Sequence, residues 1–249
     1  MTIALVTGAG RGIGRAVAQR LSAEGLQVAL TARGRDQLEE TAAGCAGPTL
    51  VHPADITDPA ALEDVFTAVE REWGPVAVLV ANAGAGHSAR LERTSDADWQ
   101  HVLELNLTAP FRCLRRAVPA MREARHGRVV VIASIAARIG EPYLAAYTAS
   151  KHGVLGLVRA AAAELAGSGV TVNAVCPGFV DTPMTDATVD NIVATTGRSA
   201  EEARRILERK QPIGRLISTE EVADAVWFCV QNGGVTGQAI NVDGGAVQS

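Results

Sequence analysis

The chain has 249 residues, of which 47% are hydrophobic and 20% charged, with a net charge of -4. That balance fits one folded domain with a full core and lies far from the polar, highly charged profile of disordered segments. It also disfavours nucleic acid or an anionic membrane as the main partner, because both select a basic face.

Cys45, Cys113, Cys176 and Cys229 are scattered without a CxxC pair, and the five histidines lack metal-ligand spacing. Reduced cytosolic thiols and no metal site are therefore expected. A strand-like run starts directly after Met1, which leaves no room for a secretory signal. No apolar run approaches the roughly 18 residues of a membrane span.

Residues 3–6 read as the first strand, and Thr7-Gly-Ala-Gly-Arg-Gly-Ile-Gly14 leads from it into a helical pattern over 13–23. In such a turn Gly8, Gly12 and Gly14 let the backbone approach a ligand, while the helix start offers unpaired N–H groups to a pyrophosphate. Arg11 and Ile13 share that turn. The glycines are spaced GxxxGxG rather than GxGxxG, and the second strand, 27–32, runs into Arg33 where a ribose-binding acid would stand. Arg33 together with Arg11 can clamp a 2′-phosphate through charge-assisted hydrogen bonds, which favours NADP(H) over NAD(H). The alternative is a pair of solvated surface arginines.

A helix over 35–45, a strand over 49–53, a helix over 59–73 and a strand over 76–80 continue the alternation. A long helical pattern over 96–124 contains Asn106, a poor helix former whose amide there suits bonding to backbone or water. Satisfying a helix kink is its other reading. The strand 128–133 ends at Ser134, which can donate to a carbonyl oxygen, although serine closes many strands without such a role.

A helix over 146–166 opens with Tyr147-Thr-Ala-Ser-Lys151. Side chains four apart share a helix face, with Cβ atoms roughly 5–6 Å apart. The Lys151 ammonium favours the phenolate of Tyr147 and brings a phenol of ordinary pKa about 10 toward acid–base work near neutrality. A strand over 171–175 follows. The irregular stretch 181–211 contains Ser199-Ala-Glu-Glu202, whose spacing resembles a capping box. It reads as a lid, with an ordinary surface helix pair as the alternative. The last strand is 238–242. The alternation predicts a single α/β domain over 1–249, a doubly wound, Rossmann-like parallel β-sheet with a small helical lid, binding its ligands at the carboxyl ends of the strands.

With these motifs in place, the chain resembles from end to end the compact single-domain branch of the short-chain dehydrogenase/reductase family. Asp55-Ile56, Asn82-Ala-Gly84, Pro177-Gly-Phe-Val-Asp-Thr182 and Asn241-Val-Asp-Gly-Gly245 add to the likeness. Ala81 departs from it, since the family usually repeats Asn there. The resemblance implies a catalytic tetrad of Asn106, Ser134, Tyr147 and Lys151. Tyr147 would pass the proton, Ser134 polarise the carbonyl, Lys151 also hold the nicotinamide ribose, and Asn106 anchor a relay water. It further implies adenine contacts from Asp55 and Ile56, cofactor contacts from Asn82, Gly84, Pro177 and Gly178, and carboxamide contacts from Val180 and Thr182.

Segments 169–184 and 210–215 are most similar to ketoreductases of aromatic polyketide pathways and 3-oxoacyl thioester reductases. His87, Ile135, Tyr143, Phe179 and Met184 are the candidate substrate-pocket residues. The implied activity is NADP(H)-dependent interconversion of a ketone, including one carried as a thioester, and a secondary alcohol, by a cytoplasmic homotetramer. Another secondary alcohol, such as a 3-hydroxy acid or a cyclic alcohol, is an alternative substrate. A non-catalytic NADPH-binding regulator is disfavoured by the intact Ser134, Tyr147 and Lys151, and an enoyl reductase by the close Tyr–Lys spacing.

Overall fold

Runs such as Ile-Ala-Leu-Val and Val-Leu-Val-Ala are apolar at every position, so both faces of each strand must be covered. In the computed structural model, which describes residues 1–248, they form β1 (Ile3–Thr7), β2 (Gln27–Thr31), β3 (Thr49–Val51), β4 (Val78–Ala81), β5 (Gly127–Ile132), β6 (Val170–Pro177) and β7 (Ala239–Val242). These make one parallel sheet in the order β3-β2-β1-β4-β5-β6-β7. The connecting helices are α1 (Gly12–Ala23), α2 (Arg35–Ala43), α3 (Pro59–Glu72), α4 (Asp96–Leu103), α5 (Ala109–Glu123), α6 (Ala145–Leu165), α7 (Pro183–Thr196), α8 (Ala200–Arg209) and α9 (Thr219–Gln231).

Alternate strand residues feed two cores, one on each face of the sheet. Ile3 and Leu5 join Phe66 of α3, Leu114 of α5 and Val154 of α6. Ala4 and Val6 join Val17 and Leu21 of α1, Leu38 of α2 and Val226 of α9. This is the expected doubly wound architecture. Strand order reverses between β1 and β4, which opens a crevice at their carboxyl ends.

Three elements differ from the sequence expectation. The helix over 96–124 is two helices, α4 and α5, joined by a π-helical turn at Glu104–Thr108 that contains Asn106. Residues 181–211 hold two helices, α7 and α8, and α8 does open with a capping box of Ser199 and Glu202. A further helix, α9, was not read from the sequence, although Ser218 and Glu221 form the same motif at its start. No helix among the described residues is long and apolar enough to cross a membrane. No cluster of three or more His, Cys, Asp or Glu among them is placed to hold a metal.

Candidate active site

The crevice deepens into a cavity of about 630 Å³, walled by the glycine turn, the ends of β4, β5 and β6, and the starts of α6 and α7. Every cofactor candidate lines it, from Gly8 in the first turn to Thr182 ahead of α7. Ser134, Tyr147 and Lys151 line it as well, with Ile135, Phe179 and Met184.

At the first turn, α1 begins after Arg11 without a side-chain cap, whereas α3, α4, α8 and α9 are each capped by an Asp or Ser side chain. α2, α6 and α7 also lack a side-chain cap, but the first residues of α1, Gly12, Ile13 and Gly14, line the cavity, where their N–H groups can meet a ligand. The turn itself is tightly packed. A Cβ at Gly14 would stand 2.2 Å from the Gly8 carbonyl oxygen and 2.5 Å from Nδ2 of Asn82. Asn82 explains its own place in the motif: Nδ2 donates to the carbonyls of Thr7 at 2.9 Å and Gly8 at 3.1 Å. The backbone N–H groups of Asn82 and Ala83 both donate to Thr7 Oγ1. These bonds tie β4 to the turn through Asn82, while Ala81 lies buried in the core.

Arg11 and Arg33 are both exposed on the cavity rim. Their neighbours Arg15 and Arg35 pair with Glu40 and Glu39, but no carboxylate among the described residues bridges Arg11 or Arg33. Asp55 faces Arg33 across this end. Its carboxyl is held below its ordinary pKa chiefly by the Thr57 hydroxyl at 2.7 Å, with Arg33 contributing less. An adenosine 2′-phosphate would meet two unpaired guanidinium groups here and no acid at the end of β2. This chemistry fits a phosphorylated dinucleotide.

At the other end Lys151 is only 4% exposed, and its Nζ donates to the Ile132 carbonyl at 2.8 Å. Burial lowers its pKa to about 8. Nζ lies 5.6 Å from the centre of the Tyr147 ring. Sequence spacing alone predicts a phenol shifted down by this ammonium. Burial instead raises the Tyr147 pKa, and contact with the Ser134 hydroxyl works against that rise without cancelling it. Ser134 Oγ also accepts from the Ala136 N–H at 3.1 Å, which fixes the hydroxyl at the end of β5.

Asn106 does not line the cavity. It is 1% exposed; Oδ1 accepts from the Ala85 N–H at 3.0 Å, and Nδ2 donates to the Ala85 carbonyl at 2.9 Å and to Ser150 Oγ at 3.1 Å. Both amide hydrogens are committed to protein partners, so the side chain clamps the loop after β4 instead of holding a water with its N–H groups. Asn106→Ala leaves the Ala85 N–H and carbonyl unpaired and is expected to lower unfolding free energy by about 1–3 kcal/mol in urea denaturation.

Two substrate candidates also lie outside the cavity lining. His87 Nε2 lies 3.6 Å from Asp98 Oδ2, and Tyr143 is 62% exposed with φ of +67° in a turn closed by Leu144 N–H to Glu141 O. The lining adds Gln37, His101, Leu105, Glu141 and Leu144, which the sequence reading did not name. Beyond the lining, Gln211 anchors the loop after β6: Oε1 accepts from Phe179 N–H at 2.9 Å, and Nε2 donates to the Phe179 and Arg215 carbonyls.

A family model described as enoyl-(acyl carrier protein) reductase matches residues 8–247. A solved structure of an actinorhodin polyketide ketoreductase variant with NADPH superposes with a TM-score of 0.94 at 40% identity, covering 98% of this chain and 97% of that one. The 3-oxoacyl-(acyl-carrier-protein) reductase FabG of Escherichia coli is 37% identical over 98% of this chain and 96% of its own. The D-beta-hydroxybutyrate dehydrogenase of Rhizobium meliloti is 33% identical over 97% of both chains. Likeness of this extent, joined to a glycine turn and a Ser–Tyr–Lys group in one cavity, places the chain in the short-chain dehydrogenase/reductase family.

Proposed function

We propose that the protein is an NADP(H)-dependent ketoreductase that interconverts a ketone and a secondary alcohol, with Tyr147 as acid and base. The observation that carries this reading is the convergence of Ser134, Tyr147 and Lys151 on the same cavity as the glycine turn, Arg11 and Arg33. The dinucleotide, when bound, supplies the hydride. Gly8, Gly12, Ile13 and Gly14 would carry its pyrophosphate, Arg11 and Arg33 its 2′-phosphate, and Asp55 and Ile56 its adenine. Asn82, Gly84, Pro177, Gly178, Val180 and Thr182 would line the remainder.

Ser134 donates a hydrogen bond to the substrate carbonyl oxygen, and the Tyr147 hydroxyl gives that oxygen its proton as negative charge develops. A phenol whose pKa burial has raised is fully protonated at neutral pH and so is ready to act as an acid. Lys151, with a pKa of about 8, is still mostly protonated there and stabilises the phenolate left behind. Asn106 acts by holding the Ala85 loop in place.

Relatives named as a polyketide ketoreductase and a 3-oxoacyl reductase support a polyketide-like or thioester-borne 3-oxo substrate. The four-residue Tyr147–Lys151 spacing supports a ketone over an enoyl substrate. A second reading, oxidation of a 3-hydroxy acid, takes its support from the hydroxybutyrate dehydrogenase. Residues 181–211 act as the substrate lid, since Thr182, Met184, Thr185 and Thr188 of this segment reach the cavity. Cytoplasmic location and a homotetramer complete the proposal, on the family resemblance.

The two arginines give the cofactor assignment its test. Removing one charge-assisted contact costs about 1.5–3 kcal/mol, or about 10- to 150-fold. Arg33→Ala is therefore expected to raise KM for NADPH by that factor and to leave KM for NADH nearly unchanged. Equal effects on both cofactors would remove Arg33 from the 2′-phosphate site.

A further inference from the structure

Glu141 is a carboxylate in the cavity wall, on the loop that leads into α6 and Tyr147. Its side chain is 15% exposed, and Oε2 accepts from Lys210 Nζ at 2.9 Å across 69 residues of sequence. Lys210 caps the end of α8, and its ammonium also lies 5.3 Å from the centre of the Phe179 ring, itself part of the cavity wall. The lysine is thus held by a carboxylate and an aromatic face together, and Glu141 is in turn fixed against the lid. The other charged groups in the lining divide clearly. Arg11, Arg33 and Asp55 stand at the dinucleotide end, and Lys151 is bound to the Ile132 carbonyl beside Tyr147.

We infer that Glu141 is a specificity-determining residue, which excludes ketones bearing a free carboxylate and admits neutral ketones such as the amides, esters and thioesters of the same acids. This rests on the proposed ketone reduction and decides between its two substrate readings. The physical basis is that a substrate carboxylate entering the cavity is desolvated beside a carboxylate already largely shielded from water. Lys210 offsets only part of this repulsion, because its side chain is 44% exposed and its charge is screened by solvent. Lys210 moderates the charge of Glu141 through this ion pair.

Acetoacetate and acetoacetamide are nearly the same size and differ in charge, so they isolate the effect. With NADPH, the wild-type protein should prefer the amide in kcat/KM. Glu141→Gln keeps the side-chain shape and removes the charge, and is expected to shrink that preference by about tenfold, the effect of about 1.4 kcal/mol. Lys210→Met should widen the preference, since the Glu141 charge then stands alone. A loss of packing would change both substrates alike, so opposite movements of the ratio in the two variants separate charge selection from a structural role. An acid-to-amide ratio that Glu141→Gln leaves unchanged would overturn the assignment of Glu141 while leaving ketone reduction standing. Turnover of neither compound, nor of any neutral ketone, would overturn both.

Discussion

Tyr147→Phe is expected to lower ketone reduction by about 100- to 10,000-fold, the usual contribution of a positioned acid, while NADPH affinity stays close to that of the wild type. The phenol ring fills the same space with or without its hydroxyl, so the cavity wall made by α6 remains. What is lost is the proton donor. Among the described residues, Tyr147 is the only tyrosine in the cavity wall, since Tyr143, the chain's other one, points away from the lining. The Ser134 hydroxyl can orient the carbonyl but, as an alcohol, is far too weak an acid to replace a phenol. Single-turnover kinetics with NADPH titrated by fluorescence separate the two effects. Retained turnover in the variant would move the acid role to another group, and a parallel loss of NADPH binding would make Tyr147 a cofactor residue first.

Gly14→Ala is expected to produce the largest effect at the dinucleotide end. Its new methyl group would stand 2.2 Å from the Gly8 carbonyl oxygen and 2.5 Å from the Asn82 amide, so the turn, α1 and the end of β4 must separate. Overpacking a buried site of this kind costs about 1–3 kcal/mol, and more where backbone must move. Because the displaced atoms include the Gly8 and Asn82 groups that shape the phosphate turn, NADPH affinity should fall together with Tm. Thermal unfolding with and without NADPH reads both. Unchanged Tm and unchanged NADPH stabilisation would show that the turn yields to the methyl group without loss of the phosphate site.

The sequence carried the sheet and the chemistry of the turn because both depend on short-range patterns. Strands buried on both faces are written as unbroken apolar runs, and the turn as glycines between a strand and a helix. The Tyr147–Lys151 pair was equally legible, as helix geometry alone sets its side chains together. Its electrostatics were not, because the desolvation that raises Tyr147 and lowers Lys151 comes from packing of α6 against β6 and the turn at Ile135–Ala137. Asn106 shows the same limit. Its poor helix propensity flagged a special place, but the π-helical turn and the Ala85 partner are long-range facts.

The loops were least legible. His87 and Tyr143 stand close in sequence to the strand ends and the Tyr147 helix, yet one turns to Asp98 and the other adopts positive φ and faces outward. Glu141 is not legible in the sequence, because nothing local distinguishes a cavity carboxylate from a solvated one. The helix α7 is rich in Thr and Val, which favour strands as much as helices, and its start is set by Pro183. In contrast, α9 was readable: Ser218 and Glu221 repeat the capping pattern found at α8.

The most direct measurement is oxidation of NADPH and NADH by the purified protein in the presence of a fused bicyclic ketone and an acetoacetyl thioester, with the alcohol product identified. The account predicts turnover of a ketone with NADPH preferred and one secondary alcohol formed per dinucleotide oxidised. No alcohol from either ketone, together with no oxidation of secondary alcohols by NADP⁺, would contradict it.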